Sequence, residues 1–253
     1  MRRLILAFAA IAPLLLLLLW PWSPLAGIAV VALSHALILY PTLRPNQQWL
    51  GPVVTRFETN ANEVWLTIDD GPTDDTPALL DLFDHLRVKV SFFLKGSLAE
   101  EHSALVDEMT RRGHSIANHS HTHPSATFWC LLPHRIAQEI DDCNAVLDRV
   151  APTREPWFRA PVGMKNPFVH PALTKRGLRL IGWTVRGFDA VVSDPSSIAA
   201  RILPHLRPGA IIVLHQGREH SRAVLEHVIR EVKARGYEFM VPSDAQLRAG
   251  DHV

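Results

Sequence analysis

Leu66-Thr67-Ile68-Asp69-Asp70-Gly71-Pro72 is an apolar run that ends in two adjacent carboxylates and a turn. Two Asp side chains at the end of a strand repel one another, and a positive partner between or beside them relieves that repulsion. A bound metal ion is one such partner. The plainer reading is an Asp-Asp-Gly-Pro turn that merely caps the following helix, since Asp, Gly and Pro are all ordinary turn residues. A second stretch tips the balance: Asn118-His119-Ser120-His121-Thr122-His123-Pro124, which also follows a short apolar run. His119 and His123 are four residues apart, and on a helical turn that spacing puts both imidazoles on one face. With one carboxylate from the Asp pair they form a two-histidine, one-carboxylate set that leaves positions open for water and substrate, the pattern of a catalytic metal site. His121 falls between the two and is expected to point away, as a surface or packing histidine.

Length and composition set the bounds. The 253 residues carry 26 Lys and Arg against 25 Asp and Glu. That length suits one large α/β domain, and the balanced charge argues against a nucleic-acid partner. Cys130 and Cys143 lack Cys-x-x-Cys spacing, so neither a disulfide framework nor a zinc–thiolate site follows, and a single disulfide is left open.

The N-terminus carries the information on compartment. Met1-Arg2-Arg3 precedes an apolar run from Leu4 to Trp20, then Pro21-Trp22-Ser23-Pro24, then a second apolar run from Leu25 to Tyr40. Each run is slightly shorter than the ~20 residues of a bilayer-crossing helix. Residues 1–41 are read as a membrane segment, a two-helix hairpin, with an uncleaved signal or single anchor as the alternative; no small-x-small cleavage site stands out. Trp20, Trp22, Tyr40 and Trp49 suit interface positions. The expected location is the inner, cytoplasmic membrane. If both runs cross it, Arg2, Arg3 and Arg44 share one side, and the positive-inside rule makes that side cytoplasmic. If the pair is one anchor, or is cleaved, the domain faces outward. Residues 42–62, rich in Pro, Asn, Gln and Thr, read as a linker, and 63–253 as the catalytic domain.

Within that domain a unit recurs. Arg111-Arg112-Gly113, Lys175-Arg176-Gly177, Arg207-Pro208-Gly209 and Ala234-Arg235-Gly236 each precede an apolar run. Basic residues favour a helix C-terminus and Gly the position after it, so all but the Pro-containing triplet read as helix stops that feed a buried strand. Helix starts agree: Thr76-Pro77 opens a stretch to Leu86, Pro133 one to Val150, and Asp194-Pro195 one to Leu206. The strands between them are Val64 to Ile68, Val88 to Leu94, Ser115 to Asn118, Trp157 to Arg159, Leu178 to Trp183, Ile211 to His215 and Tyr237 to Val241, about seven in all. Alternating helix and strand implies parallel pairing.

Asp69 and Asp70, His119, Arg159 and His215 all fall at the C-terminal end of an expected strand. In a closed parallel barrel those ends converge on one face, where (β/α) barrels assemble catalytic groups. An open doubly wound sheet is the architectural alternative, but the chain has no glycine-rich dinucleotide fingerprint or phosphate loop. Arg159 could hold the other carboxylate of the Asp pair in place. Ile211 to His215 is a buried strand ending in His, and Phe188-Asp189 supplies a carboxylate that could pair with it, which makes His215 a candidate acid.

Five motifs in order, Thr67-Ile68-Asp69-Asp70-Gly71-Pro72, His119-Ser120-x-x-His123-Pro124, Arg159-Ala160-Pro161, Trp183 to Asp189, and Leu214-His215, resemble those of the polysaccharide deacetylase family. The resemblance runs from about Asn62 to Val241 by motif spacing. It implies a distorted (β/α) barrel and a metal-dependent hydrolase that removes N-acetyl, sometimes O-acetyl or N-formyl, groups from sugars. It further implies Asp69 as general base, Asp70, His119 and His123 as ligands of a divalent metal, Arg159 as the group that positions Asp69, and His215 as general acid oriented by Asp189. Zinc is the first choice of metal, with cobalt, nickel and manganese as alternatives. Val162 would supply a backbone N–H to the oxyanion, and Trp183 and Leu214 would belong with it to the substrate and oxyanion site. The implied substrate is an acetylated aminosugar, either in a polymer or oligosaccharide or linked to a membrane lipid; a catalytically silent carbohydrate-binding relative is the remaining alternative. The chain departs from the family's usual residues at Arg186 (usually Asp), Ala190 (usually aromatic), Val162 (often Tyr) and Gln216 (often acidic).

Overall fold

Alternation along one strand organises the molecule. In β2 (Glu63–Gly71), Val64, Leu66 and Ile68 point outward to the helices, while Trp65, Thr67 and Asp69 point inward, as the two-residue period of a strand requires. The computed structural model describes residues 1–249.

Two apolar helices come first, α1 (Arg2–Leu19) and α2 (Pro24–Leu43), with mean hydropathies of 2.2 and 1.8. Both are long and apolar enough to cross a membrane, and they would equally satisfy the length and composition of a signal sequence. They pack as a hairpin, with Gly27 so close to Leu16 that a Cβ there would meet its side chain at 2.7 Å. Both ends of the hairpin meet the domain that follows. Arg2 Nη1 donates to Pro167 O at 3.1 Å. At the end of α2, the buried Lys165 donates to the carbonyls of Pro41, Arg44 and Pro45 at 3.3, 2.9 and 2.8 Å. These are carbonyls at and just past a helix terminus, which would otherwise lack donors.

The remaining elements alternate as the helix stops and starts imply. After β1 (Val54–Phe57) and β2 come α3 (Thr76–Leu86), β3 (Ser91–Leu94), α4 (Gly96–Glu101), α5 (Ser103–Arg111), β4 (Ser115–Asn118), α6 (Pro133–Val150) and β5 (Trp157–Phe158). Then follow α7 (Val169–Lys175), β6 (Arg179–Leu180), β7 (Val185–Arg186), α8 (Pro195–Ile202), β8 (Ala210–His215), α9 (Ser221–Ala234), β9 (Glu238–Phe239) and β10 (Leu247–Ala249). α7 and α9 end one residue before their basic residue, with Gly177 and Gly236 in the left-handed region just beyond. α8 stops at Ile202, earlier than Leu206, because Pro204 continues the chain as a short 3₁₀ turn.

The sheet order is β10-β1-β8-β2-β3-β4-β5-β6, with β7 also on β8 and β9 on β2. A parallel bridge between Val54 of β1 and Ile181, just past β6, closes the path onto itself next to its β10 end, giving a distorted barrel. The seven expected strands are all present and pair in parallel, and among the described residues the sheet adds three short ones, β1, β7 and β10, of which β1 runs antiparallel to both β8 and β10. β1 lies inside the stretch read as linker. Its four residues include a charged Arg56 and give too short an alternation to register as a strand, while Val54 and Phe57 nevertheless enter the barrel interior. That interior is filled by Trp65, Phe93, Trp157, Ile211 and Val213, and a second layer of apolar side chains packs between strands and helices. Cys130 is exposed and Cys143 buried, and both are free thiols.

Candidate active site

Asp69 and Asp70 are consecutive, so a regular strand would send them to opposite faces. A register shift in the β2–β3 ladder between Asp69 and Gly71, with Asp70 at φ 76°, breaks that alternation and brings both carboxylates to the same end of the barrel. The histidine pair is built differently from expectation. Residues 119–123 form a loop after β4, not a helical turn, because Pro124 disfavours helical backbone at His123. Ser120 N–H donates to Asn118 Oδ1 at 2.7 Å and His123 N–H to Ser120 Oγ at 3.2 Å, which fold the loop back on itself. Glu139 of α6 accepts from the backbone N–H groups of His121 and Thr122 and from the Thr122 hydroxyl. The two imidazoles still meet, with ring centroids 4.6 Å apart.

The donor atoms converge. His123 Nε2 lies 3.5 Å and His119 Nε2 3.9 Å from Asp70 Oδ1, and one donor atom from each residue falls within 4.8 Å of the other two. His119 Nδ1 donates to Arg159 O at 2.9 Å, which leaves the lone pair on Nε2, facing the carboxylates. Burial drives both imidazoles below their ordinary range, His123 to about 3, so both are neutral at pH 7 and their lone pairs are available. Burial alone would raise the Asp70 carboxyl, but His119, Lys95, His123 and His215 together outweigh it and hold the group well below the usual carboxylate range. Lys95 Nζ stands 2.9 Å from Asp70 Oδ1 as an ion pair without hydrogen-bond alignment, so that buried oxygen has no hydrogen-bond donor. An orphaned carboxylate oxygen beside two neutral imidazole nitrogens is a donor set that fits a divalent cation.

Asp69 is held apart from that set. Arg159, fully buried, donates from Nη1 to Asp69 Oδ1 at 2.6 Å and to Thr67 Oγ1 at 2.8 Å, and from Nη2 and Nε to Gly182 O and Ile181 O. The Phe93 ring lies 4.1 Å beneath its guanidinium carbon. Asp69 Oδ2 remains 3.8 Å from His119 Nε2. On the neighbouring strand, His215 donates from Nδ1 to Asp189 Oδ1 at 3.0 Å and from its backbone N–H to Asp189 Oδ2 at 2.7 Å. Burial opposes a charged His215, but the hydrogen bond and charge of Asp189, aided by Asp69 and Asp70, outweigh it and raise its pKa.

Val162 has φ 49°, which a β-branched residue rarely adopts. Its side chain is half-exposed, and the loop it belongs to follows Arg159 directly. Trp183 is buried, its ring 6.0 Å from the Arg159 guanidinium carbon. Leu214 is wholly buried, in the apolar layer between sheet and helices. His121 packs against Gly96. Lys95, Glu139 and Thr67 were not singled out from sequence. Lys95 carries the same mark as the other site residues, a polar side chain just past a strand end.

The profile of the family described as Polysaccharide deacetylase matches residues 57–181. A chitooligosaccharide deacetylase from Sinorhizobium fredii is 30% identical over 199 residues, spanning 73% of this chain and 92% of that protein. The chain belongs to the polysaccharide deacetylase family. As a member it is a hydrolase of the class that acts on carbon–nitrogen bonds other than peptide bonds. Among solved structures, the Bc1960 peptidoglycan N-acetylglucosamine deacetylase superposes with a TM-score of 0.67 at 29% identity, over 74% of this chain and 88% of that one. A family 4 pseudoenzyme from Bacillus anthracis superposes equally well, with a TM-score of 0.67 at 25% identity over 73% and 65% of the two chains. Fold alone therefore does not separate active from silent members of this family; the side chains at the barrel mouth must.

Proposed function

We propose that this protein is a metal-dependent deacetylase that removes N-acetyl groups from the aminosugar units of a polysaccharide or oligosaccharide. The observation that carries the reading is the convergence of Asp70, His119 and His123 beside a separately held Asp69 and an Asp189-paired His215. Asp70, His119 and His123 would hold a divalent cation, zinc foremost, which would supply Lewis acidity toward the amide oxygen and toward water. Asp69, fixed by Arg159, accepts the proton from the attacking water. The Val162 N–H, presented by its left-handed backbone, donates to the developing oxyanion. His215, kept protonated by Asp189, gives its proton to the leaving amine, a contribution typically worth about 10²–10⁴ in rate. Trp183 closes the side of the acyl group.

Residues 1–41 anchor the domain in the cytoplasmic membrane in this reading. The support is that Leu4, Leu17, Leu18 and Leu25 are each about 70–80% exposed, an apolar area that a protein in water does not leave uncovered.

The test is acetate release from chitooligosaccharides and peptidoglycan fragments by the full chain, metal-depleted and then supplied with zinc, cobalt, nickel or manganese. Activity that returns with metal and disappears in Asp70→Asn and Asp69→Asn supports the reading. Equal release by Asp69→Asn and the unmodified protein overturns it.

A further inference from the structure

A cavity of about 840 Å³ opens where the end of α2 and the chain after it meet the sheet, a volume in the range of small-molecule sites. Arg44, Arg56, Arg186 and Arg207 line it, and among the described residues no carboxylate does. Among the described residues, Arg44, Arg186 and Arg207 have no ion-pair partner; the carboxylate whose charge reaches Arg186 is Asp189, which is hydrogen-bonded to His215. Aromatic faces hold two of these cations in place without neutralising them. The Arg44 guanidinium carbon is 5.6 Å from the centre of the Tyr40 ring, and that of Arg186 is 3.9 Å from Phe188 and 5.6 Å from Trp183. Like charges gathered around a cavity repel, and an anion bound between them removes the penalty. Planar guanidiniums in such a group suit phosphate oxygens, which accept paired hydrogen bonds.

The two walls of the cavity belong to different parts of the machinery. Tyr40 and Arg44 lie at the end of the apolar helix α2, with the Tyr40 ring tilted against Trp49 at 5.0 Å between centroids, the kind of aromatic pair found where a membrane meets water. Trp183, Arg186 and Phe188 lie on the segment that leads directly to Asp189 and so to His215.

We propose that this cavity binds the phosphate of a saccharide carried on a membrane lipid, so that the hairpin holds the enzyme at the depth of the phosphate and the sugar extends past Trp183 to Asp69. The proposal rests on the deacetylase reading of the site and names the form in which its substrate arrives. The phosphate is the recognised chemistry. Free sugar phosphates and inorganic phosphate share it, and the lipid arm of the test separates them.

The test uses the full chain in detergent with zinc and the Asp69→Asn substitution, so that binding is read by calorimetry without turnover. The probes are N-acetylglucosamine, N-acetylglucosamine 1-phosphate, its polyprenyl phosphodiester and inorganic phosphate. The expected result is at least tenfold tighter binding of the phosphorylated than of the neutral sugar, a further gain for the polyprenyl form, and weak binding of inorganic phosphate. In Arg44→Gln/Arg207→Gln the preference for phosphate is expected to fall below about threefold, and Arg44→Lys/Arg207→Lys should recover part of it. Equal affinity for neutral and phosphorylated sugar, a preference that survives the double substitution, or inorganic phosphate bound as tightly as the lipid-linked sugar overturns the inference. Acetate release by the unmodified protein is scored separately. Its absence on every substrate, with Arg-dependent phosphate binding intact, counts against the deacetylase reading and not against the phosphate site.

Discussion

Asp69 and His215 are register partners on adjacent parallel strands, side by side at the C-terminal ends of β2 and β8. The backbone of the next residue closes the pair, with Gln216 N–H donating to Asp69 O at 3.2 Å. The proposed base and acid are thus held on two directly paired strands, each oriented by its own buried partner, Arg159 for one and Asp189 for the other. Neither needs a moving loop to reach the other, which suits a reaction whose two proton transfers must occur about one substrate carbon.

That arrangement predicts non-additive substitutions. Asp69→Asn and His215→Gln are each expected to lower kcat about 10²–10⁴-fold with KM little changed, and the double variant to lose far less than the product of the two. Steady-state kinetics on one chitooligosaccharide at saturating metal checks this. Fully multiplicative losses would mean that the two residues act in separate steps.

The Asp189–His215 pair predicts a pH profile. Asp189 raises the His215 pKa in the folded protein, so His215 stays protonated to a higher pH than an exposed imidazole, and the basic limb of kcat/KM lies correspondingly high. Asp189→Asn is expected to move that limb to lower pH and to reduce kcat about 10²-fold or more by loosening the ring. The stability contribution has the matching sign. A raised folded pKa gives stabilisation that is complete below the unfolded imidazole value and fades as pH rises through the folded one. A basic limb that stays put in Asp189→Asn would assign it to another group.

Sequence carried the site further than it carried the barrel. The proposed ligand set is legible because metal chemistry requires particular residue types, and His119, His123 and Asp70, which the fold brings together, keep their identities whatever backbone joins them. The loop that joins the histidines was misread as helical because i and i+4 spacing is shared by a helical turn and by a turn closed through Asn118, Ser120 and Pro124. β1 and β10 were missed for a different reason: three or four residues with an Arg among them carry no usable period, and their state is decided by pairing with each other and, for β1, with β8. The arginine cavity was invisible for a third, since Arg44, Arg56, Arg186 and Arg207 come from four separate segments that only the fold brings together.

Acid sensitivity follows from histidines away from the site. Burial holds His114 and His170 at about 4 each, below the unfolded value, so the unfolded chain binds more protons and stability is lost as pH falls from about 6.5 toward 4. Each contributes a slope of at most about 1.4 kcal/mol per pH unit in that window. His114 is wedged between Phe83 and Phe92 and accepts from Val90 N–H at 3.3 Å, which a Gln side chain can also do. Urea midpoints at pH 7.5 and 5 should therefore diverge in the unmodified protein and approach one another in His114→Gln. A midpoint that is flat with pH in the unmodified protein would mean that both rings accept protons without unfolding.

Val162 separates backbone from side chain at the proposed oxyanion position. Its left-handed φ of 49° is unfavourable for any residue with a Cβ, by about 1–2 kcal/mol, and its half-exposed side chain gives little packing in return. Glycine adopts that backbone freely but loses about 0.5–1 kcal/mol of chain entropy on folding. Val162→Gly is therefore expected to leave stability unchanged or raise it by up to about 1 kcal/mol, and to keep kcat within about threefold, because the N–H proposed to donate to the oxyanion is retained. Val162→Ala keeps both the N–H and the unfavourable φ, so it should match the unmodified protein in kcat without any gain in midpoint. If Val162→Gly instead drops kcat more than tenfold at unchanged stability, the isopropyl group itself contacts the substrate and the N–H is not the contribution of this position. Calorimetric midpoints and kcat measured on the same preparations decide between the two, since strain relief appears only in the first and loss of a substrate contact only in the second.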